Sequence, residues 1–528
     1  MKRFVLIFGV ALTAWAATIV TEQQLRDAQS DPATWLTYGK NYRGWRYSDL
    51  SEINTITVSR LATQWISQTG FDGSHETTPL VFGGMMFITG PSNHASALDL
   101  LTGKQIWEYH KTPPTKLNLC CGQPNRGFAA LGGKLFKVNI EATLVALDAR
   151  TGAVLWEKEI ADYKKGFSAT AAPLAVKGKV LVGIAGAEFG TRGFVDAYDA
   201  NTGERLWRFY TVAEEGEPGG DTWSGDSWKR GGGSTWITGT YDPDLNLTYW
   251  GTGNPGPGLD GDVRRGDNLY TCSLVALDAD TGKLKWYYQF TPHDTHDWDA
   301  VADPVLIDLN VKGRKVKAVV QADRNGFFYA IDRTNGKLLH ARPYTKVDWA
   351  TGIDANGRPI MVPGKEPSAE GARACPGLGG GHNWSATAYS PQTQLFYFHS
   401  TDGCALFYKQ SQEYHEGQWY QASTDGALPN EPPVGSTVAV DPATGQIKWR
   451  WEMVSPAGAG VLATAGGLVF TGDGQGYFVA LDARTGKPLW HFQTGAGIIA
   501  PPISYTVNGK QQIALAAGSS IMTFALVK

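Results

Sequence analysis

Two carboxylates spaced two residues apart, Asp297 and Asp299, stand beside His293, Asp294 and His296 in the stretch TPHDTHDWD. On an extended strand, alternate residues share one face, so this spacing can aim both carboxylates at one point. Left unpaired in a cleft they would repel each other, and one would be driven toward protonation. A hard, multiply charged cation removes that repulsion and takes oxygen ligands. The competing reading is a solvated acidic loop, since structural ion pairs also gather carboxylates. The rest of the chain has to decide between them.

A second chemical signal is the adjacent pair Cys120–Cys121 in CCGQPNR. If joined, neighbouring cysteines close a very small ring that strains the peptide between them, and such strain collects at functional sites. The alternative is two free thiols. Cys375 and Cys404 are spaced so that they could staple the loop between them, and Cys272, in the run LYTCSLVALD, reads as a buried strand thiol. Disulfides require an oxidising compartment. The opening MKRFVLIFGVALTAWAA, basic and then apolar with small residues at Ala14 and Ala16, has the pattern of a secretory signal and is too short in its apolar core to span a membrane. Cleavage is expected after Ala16, leaving residues 17–528 as the mature chain in the periplasm, with no membrane span. Of 47 basic and 50 acidic residues the leader removes Lys2 and Arg3, for a formal charge of −5. Nothing in that balance favours nucleic acid.

What positions these residues is a repeat. ALDLLTGKQIW, ending at Trp107, returns as ALDARTGAVLW at Trp156, AYDANTGERLW at Trp207, ALDADTGKLKW at Trp286, AIDRTNGKLLH at His340, AVDPATGQIKW at Trp449 and ALDARTGKPLW at Trp490. Each phrase reads as a strand end, an Asp/Thr-Gly or Asn-Gly turn, and a second strand closing on an aromatic. Intervals of 41 to 54 residues match a four-stranded unit, whereas gaps of 79 and 109 residues must hold insertions or a unit lacking the phrase. SATAYSPQTQLFYFHS, residues 385–400, is the best candidate for the missing unit. Eight units predict an all-β, eight-bladed propeller forming a single domain, with each Trp packed between neighbouring blades. Gly-rich runs such as FGGMM, LGGKLF and TAGGLVF read as hairpin turns, because no GxxxxGK[ST] and no following helix accompany them.

A propeller gathers distant loops at one mouth, so further candidates join the acidic pair: Glu76 in SHETTP, Arg126, Thr170 in SATAAP, Glu188 in GAEFG, Ser234 and Trp236 in GGGSTW, Asn254 in GTGNPGPG, Arg324 in ADRNGF and Asn383 in GGHNW. With these motifs the chain resembles the exported quinoprotein alcohol dehydrogenases, eight-bladed propellers that carry pyrroloquinoline quinone (PQQ) and a metal ion on their axis. The resemblance covers nearly the whole mature chain, and the vicinal cysteines followed by Arg126 are its most specific part. It implies PQQ held between Trp236 and a Cys120–Cys121 disulfide, with Glu76, Arg126, Thr170, Ser234 and Asn383 on its polar rim and Gly186 and Ala187 approaching through their backbone. It further implies Arg324 beside the reactive carbonyl, Glu188, Asn254 and Asp297 as metal ligands, and Asp297 as the base that takes the alcohol proton. Asp299 resembles the lanthanide-using branch, where calcium-using relatives carry a small or neutral residue, so a lanthanide is expected with calcium as the alternative.

Two positions depart from the family pattern. Ala185 stands where many relatives carry a hydroxyl, and the neighbourhood of Gly458 lacks a tryptophan that some relatives place near the cofactor. The activity implied is oxidation of short primary alcohols of the ethanol type, with methanol as the alternative substrate. No CxxCH haem motif occurs, so electrons are expected to pass to a separate soluble cytochrome c, and the resemblance is compatible with a homodimer. The contrasting possibility is a non-catalytic propeller scaffold. Such a scaffold has no use for vicinal cysteines, a stacking Trp and four metal ligands together.

Overall fold

The computed structural model describes residues 19–71, 73 and 75–527, so the expected signal segment, 1–16, lies outside the described residues. The fold is all-β and propeller-like. Among the described residues, seven four-stranded sheets and one five-stranded sheet follow one another, with two smaller sheets set between them. The strands are antiparallel within each four-stranded sheet, and their central members are almost wholly buried, as in Lys134–Asn139 and Thr143–Asp148.

The repeated phrase forms the last hairpin of a sheet in each case, for a local reason visible in the first copy. Asp99 ends the strand Ala95–Asp99 and its carboxylate accepts hydrogen bonds from the backbone N–H and hydroxyl of Thr102. The turn then closes through the N–H of Gly103 to the Asp99 carbonyl, and the register slips between Ala97 and Leu98. This is a bulged turn that needs a left-handed residue, which glycine supplies.

The same glycines receive the aromatic of the preceding hairpin. Gly152 has φ +72°, and a Cβ placed on it would meet the Trp107 ring at 2.6 Å. Trp156 lies likewise on Gly203, Trp207 on Gly282, Trp286 on Gly336 and Trp449 on Gly486. The indole N–H of Trp107 also donates to the Ala149 carbonyl, and those of Trp286 and Trp449 donate to Arg333 and Ala483. Each tryptophan therefore fastens its own sheet to the next, as its fixed place in the phrase predicts.

One expectation fails. Residues 385–400 are not a separate unit. Their strands, Ala388–Ser390 and Leu395–Asp402, are the first two strands of the sheet that ends in the hairpin Val434–Asp441 and Gln446–Glu452. An insertion after Asp402, anchored by the Cys375–Cys404 disulfide, separates the two halves and hides their kinship in the sequence. The sheet without a phrase is instead built from both ends of the chain. Leu61–Gln68 pairs with Ser520–Leu526, which continues into Lys510–Ala517 and Ile503–Val507. Its Trp65 lies on Gly103 of the following sheet, and its Phe524 packs on Trp490 with ring centroids 5.8 Å apart.

The Gly-rich runs form hairpin turns, as at Gly83–Gly84 and Gly132–Gly133. Cys272 is a buried free thiol lying just ahead of the strand Ser273–Asp278 rather than within it.

Candidate active site

Loops from six of these sheets meet around a cavity of about 310 Å³. Of the predicted residues, Glu76, Cys120, Cys121, Arg126, Thr170, Gly186, Glu188, Ser234, Trp236, Asp297, Asp299, Arg324 and Asn383 line it. Ala187 is buried at the start of the short 3-10 turn that carries Glu188, and Asn254 is buried behind Asp299. Cys120 and Cys121 form a vicinal disulfide.

The acidic pair works for a different local reason than strand alternation. Residues 291–299 form a loop, and Asp297 takes a left-handed backbone, φ +61°. The Asp294 carboxylate organises this loop by accepting from the N–H groups of His296 and Trp298. Trp298 turns away into the core, where it stacks on His296 at 4.2 Å and donates to the Gly377 carbonyl. His296 contacts the Lys365 carbonyl and His293 the Gly266 carbonyl, so both histidines brace the loop rather than line the cavity. With Trp298 withdrawn, the two carboxylates face the cavity together.

They meet Arg324. Its Nη1 donates to Asp299 at 2.7 Å, its Nη2 lies 3.7 Å from Asp297, and it is held in place by the Leu378 carbonyl at 2.6 Å. Asp299 also accepts the Trp236 indole N–H at 3.1 Å and the Asn254 backbone N–H at 2.7 Å. Gly253 makes this approach possible, since a Cβ there would lie 2.4 Å from the Asp299 carboxylate and 2.7 Å from the Ser234 hydroxyl. Asp299 is thus tied down on three sides, whereas Asp297 is left with one loose contact.

Beyond Trp236, the Arg126 guanidinium sits 5.0 Å from the Trp236 ring and 5.3 Å from that of Trp384. It pairs with Glu76 at 2.6 Å and donates to the Thr170 hydroxyl at 2.8 Å. The cavity consequently has an aromatic end carrying the Arg126–Glu76 ion pair and an anionic end at Glu188, Asp297 and Asp299.

At the anionic end burial pushes Glu188 up to about 7, and the neighbouring Asp299 adds to the shift. Burial likewise lifts Asp297 well above the usual carboxylate range, against the pull of Arg324, with Asp299 and Glu188 raising it further. Asp299 is raised by burial too, with Arg324 and its hydrogen bonds to Asn254 and Trp236 opposing. Three carboxylates, Asp297 and Asp299 buried and Glu188 half-buried, face one guanidinium, and the Asn254 side-chain oxygen is buried without a hydrogen-bond donor. That donor set fits a hard multivalent cation, which supplies the missing positive charge and a partner for the amide oxygen. The Cys120 and Cys121 sulfurs lie within 4.8 Å of a Glu188 oxygen, but as disulfide sulfurs they offer no thiolate and belong to the cavity wall.

The sequence reading missed Trp384 and Ser168. Trp384 directly follows Asn383 and closes on Arg126. Ser168 lines the cavity two residues before Thr170, so the alternation argument applied to SATAAP would have found it. It is bridged through its backbone to Ala185, and both residues line the cavity. Gly458 does not line the cavity: a Cβ there would meet the His399 ring at 2.3 Å, so that ring occupies the space beside it.

The chain matches the family described as PQQ: Glucose/ethanol/alcohol dehydrogenase, beta-propeller domain, over residues 35–351 and 344–513. It belongs to this family. The dehydrogenase is 38% identical over 541 residues to the quinoprotein alcohol dehydrogenase PedH of Pseudomonas putida, covering 97% of this chain and 91% of that protein. It is also 38% identical over 541 residues to a lanthanide-dependent methanol dehydrogenase of Methylacidiphilum fumariolicum, covering 97% and 88% of the two chains. Among solved structures it superposes on a europium-containing methanol dehydrogenase with a TM-score of 0.90 at 36% identity, covering 96% of this chain and all of that one. The protein is therefore a PQQ-dependent alcohol dehydrogenase.

Proposed function

We propose that this dehydrogenase oxidises short primary alcohols of the ethanol type to aldehydes in the periplasm, using PQQ and one lanthanide ion and passing electrons to a soluble cytochrome c. In this reading residues 17–528 form one domain, the sheets close into an eight-bladed propeller through the Trp490–Phe524 contact and the strand Leu61–Gln68, and two copies associate. The observation that carries the metal assignment is Asp299. It adds a third carboxylate to Glu188 and Asp297, leaving two negative charges in excess of Arg324, and a trivalent ion gains more than a divalent one from each added charge.

Trp236 and the Cys120–Cys121 disulfide both line the cavity and would offer a planar ring a flat face and a rigid face. Arg126, fixed by Glu76, and Thr170 offer donors to carboxylate or carbonyl oxygens on its rim, alongside Ser234 and Asn383, while Gly186 and Ala187 contribute backbone. Glu188, Asn254, Asp297 and Asp299 would hold the ion. Bound there, PQQ would supply a carbonyl able to accept hydride, and an ion held by these four residues would supply a Lewis acid. Asp297, whose one side-chain partner is Arg324 at 3.7 Å, takes the hydroxyl proton. Arg324, which reaches both Asp297 and Asp299, would stabilise negative charge developing on a group bound beside them.

Metal-stripped protein reconstituted with PQQ and either calcium or a light lanthanide tests this reading. Lanthanide should restore turnover and calcium should not; full activity with calcium alone overturns the metal assignment. In an alcohol panel, methanol having the highest kcat/KM would overturn the ethanol preference.

A further inference from the structure

Arg264 lies wholly inside the protein, in the segment between Asn254 and the strand Ser273–Asp278, and the reaction as described makes no use of it. Its Nε donates to the Pro257 carbonyl at 3.0 Å, and one Nη2 hydrogen goes to the Gly258 carbonyl at 3.3 Å. The other reaches the Asp294 carbonyl at 2.6 Å, while Nη1 donates to the Asn268 side chain at 2.8 Å. All four bonds end on amide oxygens. One planar fork therefore joins two irregular loops: the one that follows Asn254 by three and four residues, and the one that precedes Asp297 by three.

Burying a guanidinium is costly, and burial pushes this one down to about 10. An apolar side chain would fill the space without that cost but could not hold both loops to one another. The Asp294 carbonyl that Arg264 grips belongs to the residue whose carboxylate organises the turn to Trp298. The Arg264 backbone is itself locked by Asn268, whose amide donates to its carbonyl at 2.7 Å.

From this geometry we infer that Arg264 is a positioning residue that sets the distance between the Asn254 and Asp297/Asp299 loops, and so the affinity of the site they form for a trivalent ion. The inference rests on the metal reading above. Ligand sets held by such outer contacts bind more tightly because the loops need not be ordered on binding, and removing the contact typically lowers metal affinity by about 10- to 100-fold.

The test uses full-length, PQQ-loaded, metal-stripped protein titrated with lanthanum in a chelator buffer, with PQQ affinity measured in parallel. Arg264→Gln should lower lanthanum affinity about 10-fold or more while PQQ affinity stays within about threefold, and Arg264→Lys should not rescue it, because an ammonium lacks the fork. A merely structural brace would weaken both ligands together. A folded Arg264→Gln protein with unchanged lanthanum affinity, or with equal losses for both ligands, overturns the inference. If that variant does not fold, Asn268→Gly keeps the left-handed backbone at that position, φ +59°, and removes the Nη1 acceptor. A selective loss of lanthanum affinity in it supports the inference and no loss overturns it. Wild-type protein that binds no lanthanum overturns the metal reading instead, and the two failures are thereby told apart.

Discussion

Replacing Asp299 by serine removes one carboxylate from the anionic end of the cavity and leaves Glu188 and Asp297 facing Arg324. The effect on ion choice follows from charge. A trivalent ion exceeds a divalent one by one unit, and one unit pair about 4 Å apart is worth roughly 4 kcal/mol at an effective dielectric constant near 20. Part of this returns, because Arg324 loses its 2.7 Å partner and water enters the space. A net change of about 1–2 kcal/mol remains, and the ratio of lanthanide to calcium affinity should fall by about 5- to 30-fold. Competition between lanthanum and calcium for PQQ-loaded, metal-stripped protein measures that ratio directly. An unchanged ratio in a folded variant would refute the claim that Asp299 selects the ion by charge.

Trp236→Ala should weaken PQQ binding by about 10-fold or more, because stacking on the indole is lost together with a wall of the cavity; unchanged PQQ affinity would show that the ring lies elsewhere. Gly152→Ala forces a left-handed alanine whose Cβ would meet the Trp107 ring at 2.6 Å, and should destabilise the protein by about 1–3 kcal/mol in denaturant unfolding, with any smaller effect contradicting the sheet-to-sheet fastening described above. The pH dependence has a definite sign. Glu188 is raised in the folded protein to about 7, so the metal-free native state binds more protons than the unfolded chain above the ordinary carboxylate range, and its stability falls as pH rises through that window. Asp297 and Asp299 act in the same direction. The gap in Tm between metal-loaded and metal-stripped protein should therefore widen from about pH 5 to about pH 8; a constant gap would contradict the carboxylate cluster as the metal site.

The sheets that end in the repeated phrase were legible because the phrase marks a fixed pair of strands and a turn that only a glycine can close. Where chain order and spatial order part company, reading failed. Residues 385–400 looked like an extra unit because the insertion after Asp402 separates them from the hairpin they pair with. The sheet joining Leu61–Gln68 to Ser520–Leu526 left no local signal, since its strands are separated by most of the chain. At the site, residue types were informative but local geometry was not. Asp297 and Asp299 share the cavity because a loop withdraws Trp298, which no alternation rule states. Asn254 carried its signal in an amide oxygen that only the folded chain shows to be buried without a donor. Trp384 escaped because its neighbour Asn383 drew the reading, although the indole beside Arg126 is part of the same wall.

The most direct test of the account is to measure metal and quinone content in fully active, purified enzyme, by elemental analysis and by quantifying extracted PQQ. One quinone and one lanthanide ion per chain, both lost with activity on chelation and both needed to restore it, is the predicted result. Full activity in protein containing neither would contradict the account at its centre.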